Sequence, residues 1–249
     1  MLDKFTGQSS TASRKIADDE WLKENVPEPK YYADVCTTHP RGASYMDYDN
    51  FELLFAPQDD YEFTTKLGRG RYSEVFKAID LLQNEDVVVK ILKPVKKMKV
   101  RREIKILDEL RGGPFIIDLR DKVMDPSNKT PSLVFEFVET TDFKELYPQL
   151  TLEDIQTYML QVLIGLDFSH SRGIIHRDIK PYNVLINHKT KTLRIADWGL
   201  ADFYYPGKKF NCRVASRFFK GPELLVGLGH YDYQLDIWGA GCMLAGMVF

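Results

Sequence analysis

The sequence predicts an α+β chain in two lobes: an antiparallel β-sheet lobe with one main helix, followed by a mainly α-helical lobe. Three observations carry this. Runs rich in β-branched and aromatic residues, separated by Gly, Asn or Asp, crowd residues 61–92. One isolated helical pattern follows at 100–110, and beyond Thr141 the apolar residues recur at helical rather than alternating spacing.

Taken in order, YEFTTKLG, YSEVFKAI and EDVVVKIL read as an antiparallel meander of three strands. In VRREIKILDEL, Ile104, Leu107 and Leu110 share one helical face, and Gly112-Gly113-Pro114 ends the helix. Two more strands are expected near Phe115–Met124 and at SLVFEFV. The stretch LEDIQTYMLQVLIGLDFSHSRG carries a long apolar stripe that stops at Gly173, and TLRIADWGL reads as a later strand. Before these, residues 1–30 have the composition of a flexible polar tail, with Pro27, Pro29 and a short helix near Asp19–Glu24. Residues 31–60 bring Tyr31, Tyr32, Tyr45, Tyr48, Phe51 and Phe55 without helix or strand period, which predicts an irregular segment packed on a larger body. The expected divisions are therefore 1–30, 31–60, a first lobe at 61–138 and part of a second at 139–249. No internal repeat is visible.

With 249 residues, 44% of them hydrophobic, the chain can bury a large core. A net charge of −2 hides an uneven distribution: Lys93, Lys96, Lys97, Lys99, Arg101 and Arg102 cluster, while Asp18, Asp19 and Glu20 lie near the start. Cys36, Cys212 and Cys242 form no CxxC pair, which argues against a structural zinc and suits a reducing compartment. The first thirty residues hold no apolar run for a secretory signal. The apolar stretch Ile237–Phe249 is shorter than the roughly 18 residues a spanning helix needs, so a buried core helix is expected and no membrane. The Lys/Arg run also reads as nuclear-localisation-like, so cytoplasmic and nuclear placement is expected. It lacks interleaved aromatic residues or any nucleic-acid-binding motif, so no specific nucleic acid is expected.

Several motifs point to phosphate chemistry. Gly68-x-Gly70-x-x-Ser73 lies between two expected strands, where missing β-carbons let a backbone approach phosphates. Lys90 follows in VVVKIL, a stretch so apolar that an unpaired charge there is costly. Glu103 in the next helix is placed to pair with it, fixing Lys90 against the α- and β-phosphates. The segment IIHRDIKPYNVLI matches HRDxxxxN: Asp178 can accept a substrate hydroxyl proton, Lys180 can offset γ-phosphoryl charge, and Asn183 can hold Mg²⁺. Asp197-Trp198-Gly199 supplies a second Mg²⁺ ligand, Asp197, at the end of a strand. KGPELL with Glu223 fits the end of an activation segment, and Asp236 opens the apolar helix.

In this order the motifs resemble the eukaryotic protein kinases from about residue 61 onward. In detail, LGRGRYSEVF, VVVKILKPVKKMKVRREIKIL, LRGGPFII, TDFKELY, DWG, VASRFFKGPELLV and YDYQLDIW are similar to the catalytic α subunits of the casein kinase II family. YYADVCTTHPRGASYMDYD resembles that family's N-terminal segment, which packs on the activation segment and helps hold the enzyme active. The resemblance implies a two-lobed protein kinase fold and an acidophilic protein serine/threonine kinase that uses ATP, with GTP as a second nucleotide, and Mg²⁺.

It further implies acidic protein substrates held by Lys96, Lys97, Lys99 and Arg101 together with Arg213, Arg217 and Lys220. Leu67, Val75, Val88 and Leu185 would wall the nucleotide pocket, Phe135 would stand as gatekeeper, and Glu136 and Val138 would offer hinge backbone contacts. A regulatory β subunit in a heterotetramer is implied, docking through Phe63 and Phe76. No threonine and only Ser216 lie between Asp197 and Glu223, so constitutive activity is expected. Ala196 replaces the family's bulkier isoleucine, and Glu139-Thr140 replaces asparagines, which bears on nucleotide choice. A kinase second lobe continues for several helices past the position of Phe249 and pairs the counterpart of Glu223 with an arginine there. A fragment or truncated form is therefore expected, and a non-catalytic form that binds the regulatory subunit or substrates is the competing reading.

Overall fold

The computed structural model describes residue 29 and residues 31–70, 73–93 and 97–249. Apart from residue 29, the expected tail lies outside the described residues, as do its helix near Asp19–Glu24 and Lys96. Six strands form one sheet in the order β1-β5-β6-β4-β3-β2: β1 Ala56–Pro57, β2 Tyr61–Arg69, β3 Ser73–Asp80, β4 Glu85–Leu92, β5 Leu119–Met124 and β6 Pro131–Glu136. Every pairing is antiparallel except that of the two-residue β1 with β5. The β3–β4 turn forms because Asp80 accepts from the amides of Leu82 and Gln83 at 2.9 and 3.1 Å, while Asn84 takes the left-handed conformation an asparagine tolerates.

Helix α1, Lys97–Leu110, buries Val100, Ile104, Leu107 and Leu110 in one core with Leu119, Leu133 and Phe135. The strand expected from Phe115 starts only at Leu119. Phe115 itself has φ +58°, which interrupts extended backbone, and Ile116 makes only an isolated bridge to Ile195. The ring of Phe168 lies against Gly113, where a β-carbon would fall 2.1 Å from it, so the chain turns there beneath the second lobe. The run SLVFEFV pairs only as far as Glu136.

The second lobe contains α2 Phe143–Leu146, α3 Leu152–His170, β7 Ile174–Ile175, β8 Val184–Asn187, β9 Thr192–Ile195, β10 Asp202–Phe203, α4 Pro222–Leu225 and α5 Gln234–Val248. Thr151 and Asp154 form a capping box that starts α3, and Tyr158, Val162 and Leu166 are its buried side. The helix stops before Gly173, whose φ of +69° favours glycine and whose missing β-carbon leaves room for the Cys36 thiol. Helix α5 packs on α3 through a buried side that includes Ala240, Met243 and Met247. The expected core helix is buried on that side alone, with Ile237, Trp238, Leu244 and Val248 exposed. Among the described residues no helix is long and apolar enough to cross a membrane.

Residues 31–55 run across both lobes. Tyr32 donates to Asp167 at 2.7 Å, Tyr45 donates to the Arg172 carbonyl at 2.6 Å, and the Tyr45 ring meets Phe203 edge-on at 5.3 Å. Arg41 pairs with Glu109 on α1, and Arg101 donates to the Asp49 carbonyl.

Asp236, 1% exposed at the start of α5, accepts from the backbone amides of His176 and Arg177 at 2.8 and 2.7 Å and bonds His170 Nε2 at 2.9 Å. Burial pushes its carboxyl pKa up, but the His170 hydrogen bond, the charges of His170 and His176 and the His176 amide hold it below the ordinary carboxylate value. A folded-state pKa below the unfolded value of about 3.9 gives stability that is present above that pH and lost as pH falls through the folded value. Asp236→Asn is therefore expected to lose roughly 3 kcal/mol in urea unfolding at pH 7. It should also show a shallower fall in stability below about pH 4 than the unsubstituted protein.

Candidate active site

Lys90 projects from β4 with its side chain 14% exposed, and its Nζ lies 2.8 Å from both Glu103 Oε1 on α1 and Asp197 Oδ1 after β9. Burial alone would lower its pKa, but Glu103 and then Asp197 outweigh that and raise it, so the ammonium stays charged. Across this contact the Lys90 charge, opposed by burial, lowers the pKa of Asp197. The Asp197 side chain remains 52% exposed, so it is ringed by protein yet open to a ligand.

Asp197 adopts φ +59° and ψ +68°, an uncommon conformation for a non-glycine residue, immediately before a 3₁₀ turn at Trp198–Leu200. What holds it there is Trp198, a buried ring whose Nε1 donates to the Ile195 carbonyl at 3.1 Å and which meets His176 edge-on at 4.5 Å. A phenylalanine could fill that space and could not make the bond. His176 in turn bonds the Ala196 carbonyl at 3.0 Å.

The segment between β7 and β8 brings a second cluster together. Lys180 Nζ lies 2.6 Å from Asp178 Oδ2, and Asn183 Nδ2 donates to the Asp178 carbonyl at 2.8 Å and to Oδ2 at 3.1 Å. Ser216 Oγ donates to Asp178 Oδ1 at 3.1 Å and accepts from Lys180 Nζ at 2.9 Å. A hydroxyl therefore sits between an acceptor carboxylate and a donor ammonium.

With this geometry in place the comparison with known families is direct: a family model of the protein kinase domain matches residues 61–249. The chain belongs to the protein kinases.

Protein kinase domains use ATP and a divalent metal ion, and the residues of this kinase fit both. An added β-carbon at Gly68 would meet nothing within 4 Å, so the protein's own packing does not demand that glycine, and the space beside the loop is open to phosphates. No cluster of three metal-ligating side chains occurs among the described residues. Asp197 and the Asn183 amide oxygen, which accepts no hydrogen bond among the described residues, are a partial donor set. That suits a metal completed by phosphate oxygens and water.

Val88, Val138, Leu185 and Ala196 pack partly buried against the main core, Phe135 is buried, Val75 is half-buried and Leu67 is exposed. The Glu136 carboxylate is already used: it accepts from the Asp118 amide at 2.9 Å and from Arg194 Nε at 2.8 Å. A nucleotide contact from Glu136 thus falls to its backbone. The cations expected to hold acidic substrates separate into two places. Arg213 and Arg217 are exposed beside Ser216, and the Lys220 ammonium donates back to the Val214 carbonyl. Lys97 and Arg101 instead line a cavity that includes neither Glu103 nor Lys90, and Lys99 is exposed on the same helix.

Sequence reasoning missed Asp202. Its carboxylate, 8% exposed, lies 3.1 Å from Arg177, 3.3 Å from Arg102 on α1 and 3.0 Å from Lys208. Burial works against its charge, but Arg177, Lys208 and Arg102 together lower its pKa. One buried carboxylate thereby joins α1, the residue preceding Asp178 and Lys208 in the stretch that follows Asp197. No short motif announces it, because Arg102 is 100 residues away in sequence.

Glu103→Gln removes the charge that orients Lys90. In steady-state assays kcat/KM for ATP is expected to fall by at least about tenfold, a loss of roughly 1.4 kcal/mol in transition-state binding. An unchanged kcat/KM would show that Asp197 alone positions the lysine.

Proposed function

We propose that this kinase is an acidophilic protein serine/threonine kinase of the casein kinase II catalytic type, active without phosphorylation of its activation segment. The observation that carries the reading is the Ser216 hydroxyl, held 3.1 Å from Asp178 and 2.9 Å from Lys180. It supports an acceptor that is a small aliphatic hydroxyl: Asp178 would take the proton of the incoming Ser or Thr, and Lys180 would stabilise charge on the transferring γ-phosphoryl. Lys90, held by Glu103, would orient the α- and β-phosphates. A bound Mg²⁺ held through Asp197 and Asn183 would supply charge neutralisation.

Exposed Arg213 and Arg217 beside Ser216 support recognition of acidic residues near the acceptor. Activity without a phosphosite is supported by Asp202, which already neutralises the basic groups Arg102, Arg177 and Lys208. It is also supported by the segment at 31–55, which ties α1 to the second lobe. ATP is the proposed nucleotide, with GTP as a second. The Phe63–Phe76 edge-on pair on β2 and β3, 5.6 Å between centroids, supports docking of a regulatory β subunit in a heterotetramer. Cytoplasmic and nuclear placement is supported by the cysteine pattern, by the first thirty residues, which hold no apolar run, and by the Lys/Arg run.

The test compares transfer from labelled MgATP to three short peptides: Ser among acidic residues, Tyr in the same frame, and Ser among basic residues. The acidic Ser peptide is expected to exceed the basic one by at least about tenfold in kcat/KM, with Tyr near background. Equal use of all three, or preference for the basic peptide, overturns the reading.

A further inference from the structure

Between Lys180 and Val184 the chain makes a 3₁₀ turn, Pro181–Asn183, in which the two outer residues are buried and the middle one is not. Tyr182 keeps 60% of its surface open. Only Pro181 separates it from Lys180, whose ammonium donates to the Ser216 hydroxyl at 2.9 Å. A large ring therefore stands in solvent next to the cluster in which a hydroxyl sits between Asp178 and Lys180.

That ring has a set direction. It meets Phe143 on α2 edge-on with centroids 4.8 Å apart, and Phe143 meets Tyr147 edge-on at 5.4 Å. Phe143 is held in turn by the cap of its own helix, where Asp142 accepts from the Lys144 amide at 2.8 Å. Phe218, two residues past Ser216, is more exposed than Tyr182 but meets no other ring among the described residues. An exposed ring whose direction is already fixed loses little freedom when a second side chain covers it, which is what anchor residues at interfaces provide. The electron-rich face of the ring disfavours a carboxylate and favours hydrocarbon or a second aromatic edge. Arg213 and Arg217, exposed beside Ser216, disfavour a further cation nearby.

We infer that Tyr182, backed by Phe143, is a specificity-determining residue that takes one apolar or aromatic side chain of the phosphate-acceptor peptide. The inference rests on the acceptor site proposed above and deepens it: the preferred acceptor has an acidic stretch broken by one large apolar residue close to the Ser or Thr.

The experiment places a single Phe, Gly or Arg at each position from about three before to about three after the Ser of an acidic peptide and measures kcat/KM for transfer from MgATP. At one position or more, Phe is expected to exceed Gly by at least about fivefold, and in Tyr182→Ala that ratio is expected to fall close to one. Tyr182→Phe, which keeps the ring, is expected to keep the ratio. Thermal melting checks the fold of each variant, and Tyr182→Gln gives the readout if Tyr182→Ala does not fold. A role in packing alone lowers kcat/KM for every peptide and leaves the ratio unchanged, and that result overturns the inference. So does the absence of a Phe preference at every position, an Arg peptide that surpasses the Phe peptide at the preferred one, or an effect of Tyr182→Ala confined to KM for ATP. Each of these leaves the acceptor site standing, whereas transfer to no peptide of the set overturns that site and the inference with it.

Discussion

A carboxylate sealed from water must have its oxygens satisfied by protein, and Asp236 is satisfied by the very backbone that precedes Asp178. The amides of His176 and Arg177 can reach it only if the segment leading to Asp178 takes one path, in which Arg177 has φ +68°. From that path the rest follows. His176 then lies against Trp198 and bonds the Ala196 carbonyl, which helps set where Asp197 emerges. Arg177 then reaches Asp202 and the Leu200 carbonyl. A buried charge in the second lobe thus sets the backbone that carries Asp178 and helps to place Asp197.

The two lobes are coupled by the same kind of economy. Asp202 pairs with Arg102 from α1, with Arg177 next to Asp178 and with Lys208, so any displacement of α1 leaves a buried charge short of a partner. Helix α1 is tied again by the Lys90–Glu103 pair and by Arg41 on Glu109. These contacts favour one position of α1, the one in which Lys90 is oriented. In protein kinases a lysine–glutamate pair of this kind belongs to the competent arrangement.

The motifs were legible because their chemistry is local. HRDxxxxN sets Asp178, Lys180 and Asn183 within one short loop, and Lys90 in an apolar strand demands a partner that Glu103 supplies from the next helix. Asp202 and Ser216 were not legible as partners, since each depends on residues brought close only by the fold, Ser216 on Asp178 across 38 positions. The early strand at Phe115 failed for a related reason: a propensity for extended backbone was overridden by the Phe168 ring packed at Gly113. Helix α5 reads as uniformly apolar, and composition alone could not say which of its sides the described residues cover.

The central claim is that Asp178 acts on the acceptor hydroxyl rather than on the nucleotide. Single-turnover transfer with saturating MgATP, compared between the unsubstituted kinase and Asp178→Asn, tests it most directly. The account predicts a rate lower by about 10²–10⁴-fold with nucleotide-induced thermal stabilisation retained. Transfer at an undiminished rate would contradict it.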